Sequence, residues 1–281
     1  MVYQWYPGHM TKAKRMMQEN IKLIDLVIEL VDARIPYSSH NPDIDELAKN
    51  KFRIVLLNKA DLADPEANKE WIRYYESKGA AVLEINSKSG TGVRSVNALA
   101  QKVCKEKIEK DRKRGIVNRT VKGMVAGIPN VGKSTFINSF AGKACAKTGN
   151  KPGVTKGKQW IRLNKDLELL DTPGILWPKF EDQLVGMRLA FIGSMNDEVI
   201  IMEELACDLL NFLKESYPDA VTERYKVQWQ SDAPKTLEEI ARSRGCFLKG
   251  EELNLKKAAD ILVDDFRSGR LGRISLERPG V

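Results

Sequence analysis

An α/β domain followed by a smaller all-α domain is the fold this sequence predicts, on three observations. Short apolar runs alternate with helical segments over residues 1–178, the pattern of parallel strands joined by crossover helices. From about residue 180 the strand pattern stops and the sequence turns largely helical. A length of 281 residues, at roughly 100–200 residues per domain, accommodates two units. The boundary is expected near Trp177-Pro178, dividing the chain into 1–178 and 179–281.

Residues 9–23 read as a helix with Thr11 as its cap. Leu26–Val31, Arg53–Leu57 and Ala81–Ile85 read as strands, ending against Asp32, Asn58 and Asn86. Helices are expected between them at 42–50, 65–78 and 92–110. Val121–Ala126 resumes the strand pattern and Lys133–Ala141 the helix. Lys158–Leu163 and Leu167–Leu170 then form a hairpin around Asn164-Lys165-Asp166. Together these runs predict a mostly parallel six-stranded sheet flanked by helices. Beyond it, Thr236 before Leu237 reads as a helix cap, and Pro218, Pro234, Gly245 and Gly250 as breaks. Leu205, Leu209, Leu210 and Leu213 recur at helical spacing and read as core.

Hydrophobic residues at 42% and charged residues at 30% exclude wholesale disorder. The longest apolar runs are far too short to cross a bilayer, and the opening MVYQWYPGHMTKAKRMM lacks the apolar core of a signal peptide. A cytoplasmic chain with no membrane partner is the expectation. Cys104, Cys145, Cys207 and Cys246 are widely spaced and the histidines are His9 and His40, so no zinc-ligand spacing exists. Charge is unevenly divided: residues 1–178 carry 31 basic and 19 acidic side chains, residues 179–281 carry 15 and 19. Lys102–Lys122 alone holds nine Lys/Arg. Such a basic half favours a polyanion such as RNA, because each neutralised phosphate releases counterions.

Gly127-Ile128-Pro129-Asn130-Val131-Gly132-Lys133-Ser134 fits G-x-x-x-x-G-K-[ST]. It lies where that loop's mechanism requires, after a strand and at the opening of a helix. Glycines let the backbone wrap phosphates closely, and the loop amides with the helix N-terminus supply positive potential. Lys133 then reaches the β- and γ-phosphates, and the Ser134 hydroxyl takes Mg²⁺. The pattern arises by chance in roughly one chain in a hundred of this length; its setting makes it specific. The phosphate-binding set is Asn130, Val131, Gly132, Lys133, Ser134 and Thr135. Asp171-Thr172-Pro173-Gly174 follows another apolar strand, 37 residues after Ser134. Asp171 is expected to hold Mg²⁺ through water and the Gly174 amide to meet the γ-phosphate. Between these motifs, Pro152-Gly153-Val154-Thr155 offers Thr155 as a second hydroxyl for Mg²⁺.

The base is read from Asn58-Lys59-Ala60-Asp61, an N-K-x-D at a strand end. An ionised Asp61 accepts two hydrogens from guanine, at N1 and the exocyclic amine. Adenine offers neither and would leave the carboxylate unsatisfied, so the site selects GTP over ATP. Lys59 lies along the base and Asn58 ties this loop to the phosphate loop. Asn86-Ser87-Lys88 ends the next strand and adds backbone contact to the guanine carbonyl.

The order of these motifs is unusual. Ordinary GTPases place the phosphate loop first and N-K-x-D late, whereas here 58–61 and 86–88 precede 127–134, Thr155 and 171–174. Joining the old termini and opening the chain elsewhere builds the same sheet, because chain ends lie at the surface and often close together. The basic stretch 102–122 is then the joining segment. The segment after Gly174 runs straight into the helical domain, which would receive any γ-phosphate-dependent change of order.

This permuted order, the opening Trp5-Tyr6-Pro7-Gly8-His9-Met10, the loop G-I-P-N-V-G-K-S and the closing Asp265-Phe266-Arg267-Ser268-Gly269-Arg270-Leu271-Gly272 resemble the YlqF/RbgA family of circularly permuted bacterial GTPases. The resemblance covers essentially the whole chain. It implies GTP hydrolysis during late assembly of the large (50S) ribosomal subunit, stimulated by the particle. Its partners would be the 50S precursor and rRNA rather than DNA or a membrane. Where Ras-like enzymes carry a water-orienting Gln after D-x-x-G, this chain has Ile175, whose side chain cannot hydrogen-bond. By spacing alone His9 is a packing or surface residue; the resemblance implicates it in hydrolysis. Asn130 likewise matches the residue that helps hold K⁺ in related monovalent-cation-stimulated GTPases. The helical domain is similar to the family's RNA-binding domain, which its acidic balance would confine to a patch of Arg267, Arg270, Arg273 and Arg278. Two alternatives stay open: a GTP-dependent RNA-binding scaffold with little catalysis, and a GTPase of the small subunit. Permuted factors of the latter kind carry a zinc module that the Cys/His census here does not offer.

Overall fold

The computed structural model describes residues 9–116, 120–142, 159–163, 165–172 and 182–280. The first of two compact units is built on a six-stranded sheet. Its strands are β1 (Leu26–Asp32), β2 (Phe52–Asn58), β3 (Ala81–Ile85), β4 (Val121–Ala126), β5 (Gln159–Arg162) and β6 (Leu167–Asp171). They lie in the order β3-β2-β1-β4-β6-β5. Every neighbouring pair is parallel except the β5–β6 hairpin. β1 is central and buried at all of its positions. That is why it reads as a near-continuous apolar run and not as an alternation.

The helices of this unit are α1 (His9–Asn20), α2 (Pro42–Leu47), α3 (Pro65–Ser77), α4 (Ser95–Val103), α5 (Lys105–Lys113) and α6 (Lys133–Ala141). Asp64 caps α3 through the Glu66 amide, with Pro65 at the first helical position, where a missing N–H costs nothing. Trp71 and Tyr75 on α3 bury against Val31, Val55 and Leu57 of the sheet. Two expectations are corrected. α1 begins at His9, so Thr11 lies inside the helix, which tightens into a 3-10 turn over Ile21–Leu23. The single helix expected over 92–110 is two, broken at the fully buried Cys104. Ile108 is the one apolar residue of α5, whose charged KEKIEKDRK buries only Asp111.

One strand position breaks the apolar run. Glu29 of β1 is 1% exposed, and its carboxylate accepts from the Asn41 amide, Arg53 and His40 Nδ1. His40 Nε2 lies 2.9 Å from Asp45, and Tyr75 meets the ring edge-on. Burial alone would depress the imidazole, but Glu29 and Asp45 raise it to about 10. A group whose pKa rises on folding stabilises fully below its unfolded value and loses that contribution as pH climbs through the folded one. Stability is therefore expected to fall by about 3 kcal/mol between about pH 6 and pH 9 from this residue. Urea denaturation of the protein and of His40→Gln checks it; equal slopes in the two would remove His40 from the account.

The second unit, Asp182–Ile274, is helical: α7 (Gln183–Phe191), α8 (Met202–Ser216), α9 (Pro218–Tyr225), α10 (Ala233–Ser243) and α11 (Leu255–Arg267). Leu205, Leu209, Leu210 and Leu213 of α8 are fully buried. α10 is capped by Asp232 through the Lys235 amide, with Pro234 in its first turn. Thr236 is thus inside that helix, its hydroxyl donating to the Asp232 carbonyl.

The expected division at 178/179 changes in one instructive way: Ser275–Val281 belong to the sheet-bearing unit. The arginine patch changes with it. Arg278 pairs with Glu70 and Asp64 in the first unit. Arg267 grips Asp197 with both terminal nitrogens and caps α7 at the Ala190 and Phe191 carbonyls. Arg270 pairs with Asp264 and Asp265. These three guanidinium groups are matched by carboxylates of their own units, which weakens their claim on RNA phosphates.

Candidate functional site

The loops that follow β2, β3, β4 and β6 all leave the carboxyl edge of the sheet, where open α/β sheets bind ligands. From β1 the chain first builds outward to β2 and β3, then resumes on the other side with β4 and β6. The switch therefore falls between β1 and β4, and the loop 127–132 leaves β4 at that point.

Backbone conformation shapes this loop. Gly127 has φ +147°, and a Cβ there would lie 2.6 Å from the Leu30 carbonyl oxygen. Asn130 adopts φ +62°, a left-handed conformation that asparagine tolerates better than most residues. Gly132, at φ +98°, precedes α6, and a Cβ on it would lie 2.5 Å from Asn58 Nδ2. Lys133 and Ser134 therefore open the helix, with Thr135 in the same first turn.

Asn58 holds three loops together. Its side-chain amide donates to the Val131 carbonyl at 2.6 Å and its Oδ1 accepts from the Ser87 amide at 3.0 Å. The side chain is 1% exposed, so both bonds are shielded from competing water. Lys59, at φ +58°, donates from Nζ to the Asn130 carbonyl at 3.1 Å. The base-reading and phosphate-loop motifs, 71 residues apart in sequence, thus share hydrogen bonds. Asp61 sits in the short 3-10 turn Ala60–Leu62 and is exposed, so its carboxylate is accessible to a ligand. Asn86 closes its own loop by accepting from the Lys88 and Ser89 amides, leaving Lys88 exposed.

Asp32 and Arg34 belong to this network and were not singled out from sequence. Asp32 is wholly buried at the end of β1, its carboxylate accepting from Arg34 Nε and Nη2 at 2.9 Å each. Lys59 Nζ stands 2.9 Å from Asp32 Oδ2. Burial would raise the Asp32 carboxyl, but Arg34 and Lys59 together hold it well below the usual carboxylate range. The sequence signal was available: an acid closing a mostly apolar strand, with an arginine two residues on, needs a cationic partner to be buried.

Lys133 and Asp171 face each other electrostatically under the loop. Burial depresses the Lys133 ammonium to about 8, against the opposing pull of Asp171, and Nζ donates to the Ile128 carbonyl at 2.7 Å. Burial raises the Asp171 carboxyl to about 6, against Lys133 and the Thr172 amide. Asp171 Oδ1 is buried and has no hydrogen-bond partner among the described residues. An unpaired buried acceptor that interacts electrostatically with Lys133, the residue before Ser134, suits a hydrated dication, so Ser134 and Asp171 have the donor chemistry to fit Mg²⁺. The Thr172 hydroxyl anchors this corner by donating to the Val125 carbonyl at 2.7 Å. Thr155 and Gly174 lie outside the described residues, as does the side chain of His9, although His9 opens α1.

Comparison with known proteins gives a consistent picture. Residues 122–238 match the family model described as 50S ribosome-binding GTPase. The chain is 48% identical to ribosome biogenesis GTPase A of Bacillus licheniformis, over 99% of each chain. It is 27% identical to YlqF from T. maritima in a GNP-bound crystal structure, with a TM-score of 0.66 over 96% of this chain and 99% of that one. A GDP-bound structure of TM YlqF gives 25% identity and a TM-score of 0.67, covering 94% and 99%. No helix among the described residues is long and apolar enough to cross a membrane.

Proposed function

Because this chain belongs to the ribosome biogenesis GTPase A family, we propose that it grips GTP across the loops that follow β2, β3, β4 and β6, and hydrolyses it while bound to a 50S precursor in the cytoplasm. It is a GTPase of large-subunit assembly. The observation that supports this nucleotide site is the pair of hydrogen bonds that Asn58 makes, donating to the Val131 carbonyl and accepting from the Ser87 amide, which joins the segments 58–61, 86–88 and 127–134.

In this reading Asp61 accepts from the guanine ring while Lys59, steadied by Asp32, lies along the base. Ser87 and the Asn86–Lys88 backbone meet the guanine carbonyl. Lys133 and the amides of Asn130–Thr135 hold the phosphates, whose negative charge favours the charged form of the Lys133 ammonium that burial disfavours. Ser134, Thr155 and Asp171 hold Mg²⁺, which when bound neutralises charge on the β- and γ-phosphate oxygens. Gly174 offers its amide to the γ-phosphate, and Asn130 contributes to a K⁺ site. His9 orients the attacking water, a task Ile175 cannot perform. The excess of basic side chains in residues 1–178 supports rRNA as the surface met on the particle.

His9→Ala is expected to lower particle-stimulated turnover by about two to three orders of magnitude, with GTP affinity unchanged. Turnover with and without 50S precursors in K⁺ buffer, alongside nucleotide titration, checks it. Equal loss of binding would make His9 structural. Absence of turnover in the parent protein under both conditions would favour the scaffold reading. Sedimentation of the protein loaded with a non-hydrolysable GTP analogue tests the partner: co-migration with the small subunit would overturn it.

A further inference from the structure

Residues 275–278 return to the sheet-bearing unit after the whole helical unit has been built, and they arrive at one address. Glu277 is 5% exposed, and its carboxylate accepts from the Tyr37 and Ser38 amides and from the Ser38 hydroxyl. Its carbonyl accepts from Trp71 Nε1 at 3.2 Å. The Leu276 amide donates to the Arg34 carbonyl at 2.9 Å. Ser275 Oγ accepts from the Asp64 amide at 3.1 Å, and Arg278 reaches Asp64 and Glu70 at 2.7 Å each.

These partners stand on both sides of the base-reading loop. On one side Arg34 fixes Asp32, and Asp32 fixes Lys59. The Ala33 amide also holds the Asn58 carbonyl at 2.9 Å. On the other side Asp64 ends the turn that carries Asp61 and caps α3, from which Asn68 holds the Ala60 carbonyl. A buried carboxylate satisfied by two backbone amides and a hydroxyl makes a specific attachment, because every alternative placement leaves a desolvated charge.

We propose that Ser275–Arg278 is a strap that positions Asn58–Asp61 for guanine, with Glu277 as its anchor. It acts through Arg34, Asp32 and Asp64 and touches no nucleotide itself. The proposal rests on the reading of Asp61 and Lys59 as the guanine contacts. Since GDP and GTP present the same base, losing the strap weakens both alike. The strap bonds to Arg34, Tyr37, Ser38, Asp64, Glu70 and Trp71 and reaches the phosphate loop only indirectly, through Asn58, so turnover at saturating GTP is retained.

The test compares Glu277→Ala, Glu277→Gln and Arg278→Ala in the full chain, with fluorescent GDP and GTP titrations and steady-state kinetics on 50S precursors. Gln keeps the shape and the amide-accepting oxygen, and its NH₂ can donate to Ser38. Glu277→Ala is expected to raise both dissociation constants by about tenfold and KM with them, with kcat preserved and Gln restoring most of the affinity. Arg278→Ala, at a half-exposed ion pair that folding tolerates, gives the same pattern to a smaller degree. A merely structural strap would lower the melting temperature and the active fraction while leaving the dissociation constant of the folded fraction unchanged; that result overturns the proposal. So does a loss confined to GTP, which would place the effect at the phosphates. Failure of the parent protein to prefer guanine over other bases would instead refute the base-reading assignment.

Discussion

An alanine at Gly132 is expected to abolish nucleotide binding. The residue has φ +98°, which costs a side-chain-bearing residue on the order of 1–3 kcal/mol. The larger problem is what the new methyl meets. It would lie 2.5 Å from Asn58 Nδ2, inside van der Waals contact, and that amide is committed to Val131 at 2.6 Å. Asn58 cannot retreat without releasing Val131 and Ser87; the loop cannot retreat without turning its amides from the phosphates. Either way the two halves of the site separate, and affinity for GDP and GTP should fall by at least about a hundredfold. Gly142 provides the control. Its φ of +66° is equally left-handed, but a Cβ there meets nothing within 4 Å. Gly142→Ala should lose a little stability and keep full binding. Titration of both variants with a fluorescent guanine nucleotide decides it, and wild-type affinity in Gly132→Ala would break the claimed link between the loops.

Asp61→Asn is expected to exchange the preferred base. In the proposed site the carboxylate accepts two hydrogens from guanine; an asparagine offers one acceptor and one donor. Xanthine, with a carbonyl where guanine has its amine, satisfies that donor. GTP affinity should drop by about two to three orders of magnitude while xanthosine triphosphate gains, because a polar site rejects the partner that leaves its groups unpaired. The exposed setting of Asp61 means the substitution leaves the folded core alone. Competition titrations with GTP and xanthosine triphosphate measure the reversal. Unchanged selectivity would remove Asp61 from the base site.

Much of this architecture was legible in the sequence because it is local. Strands such as Leu26–Asp32 and Val121–Ala126 are mostly apolar runs, interrupted only by Glu29 and Lys122 before their ends, and the phosphate loop and N-K-x-D are contiguous. Their meeting could be inferred from motif chemistry without any contact being visible. Helix starts were less legible: α1 begins two residues before Thr11, and α10 is started by Asp232 and Pro234 rather than by Thr236. Asp32 was read only as the end of a strand, since its partner Arg34 becomes obligatory only once burial is known. Glu277 was invisible for a deeper reason. Its partners lie 239 and 240 residues earlier, and no periodicity or motif spans that distance.

The same separation has a consequence in time. Translation delivers a chain from one end, at roughly 5–20 residues per second, and early segments fold as they appear. Tyr37 and Glu277 are 240 residues apart, so on the order of ten to fifty seconds pass between them. A nascent copy can lay down β1 to β6 and still lack the strap proposed to position its base-reading loop. If the strap positions the base-reading loop as proposed, a chain whose helical half has not yet been made would bind guanine nucleotide only weakly.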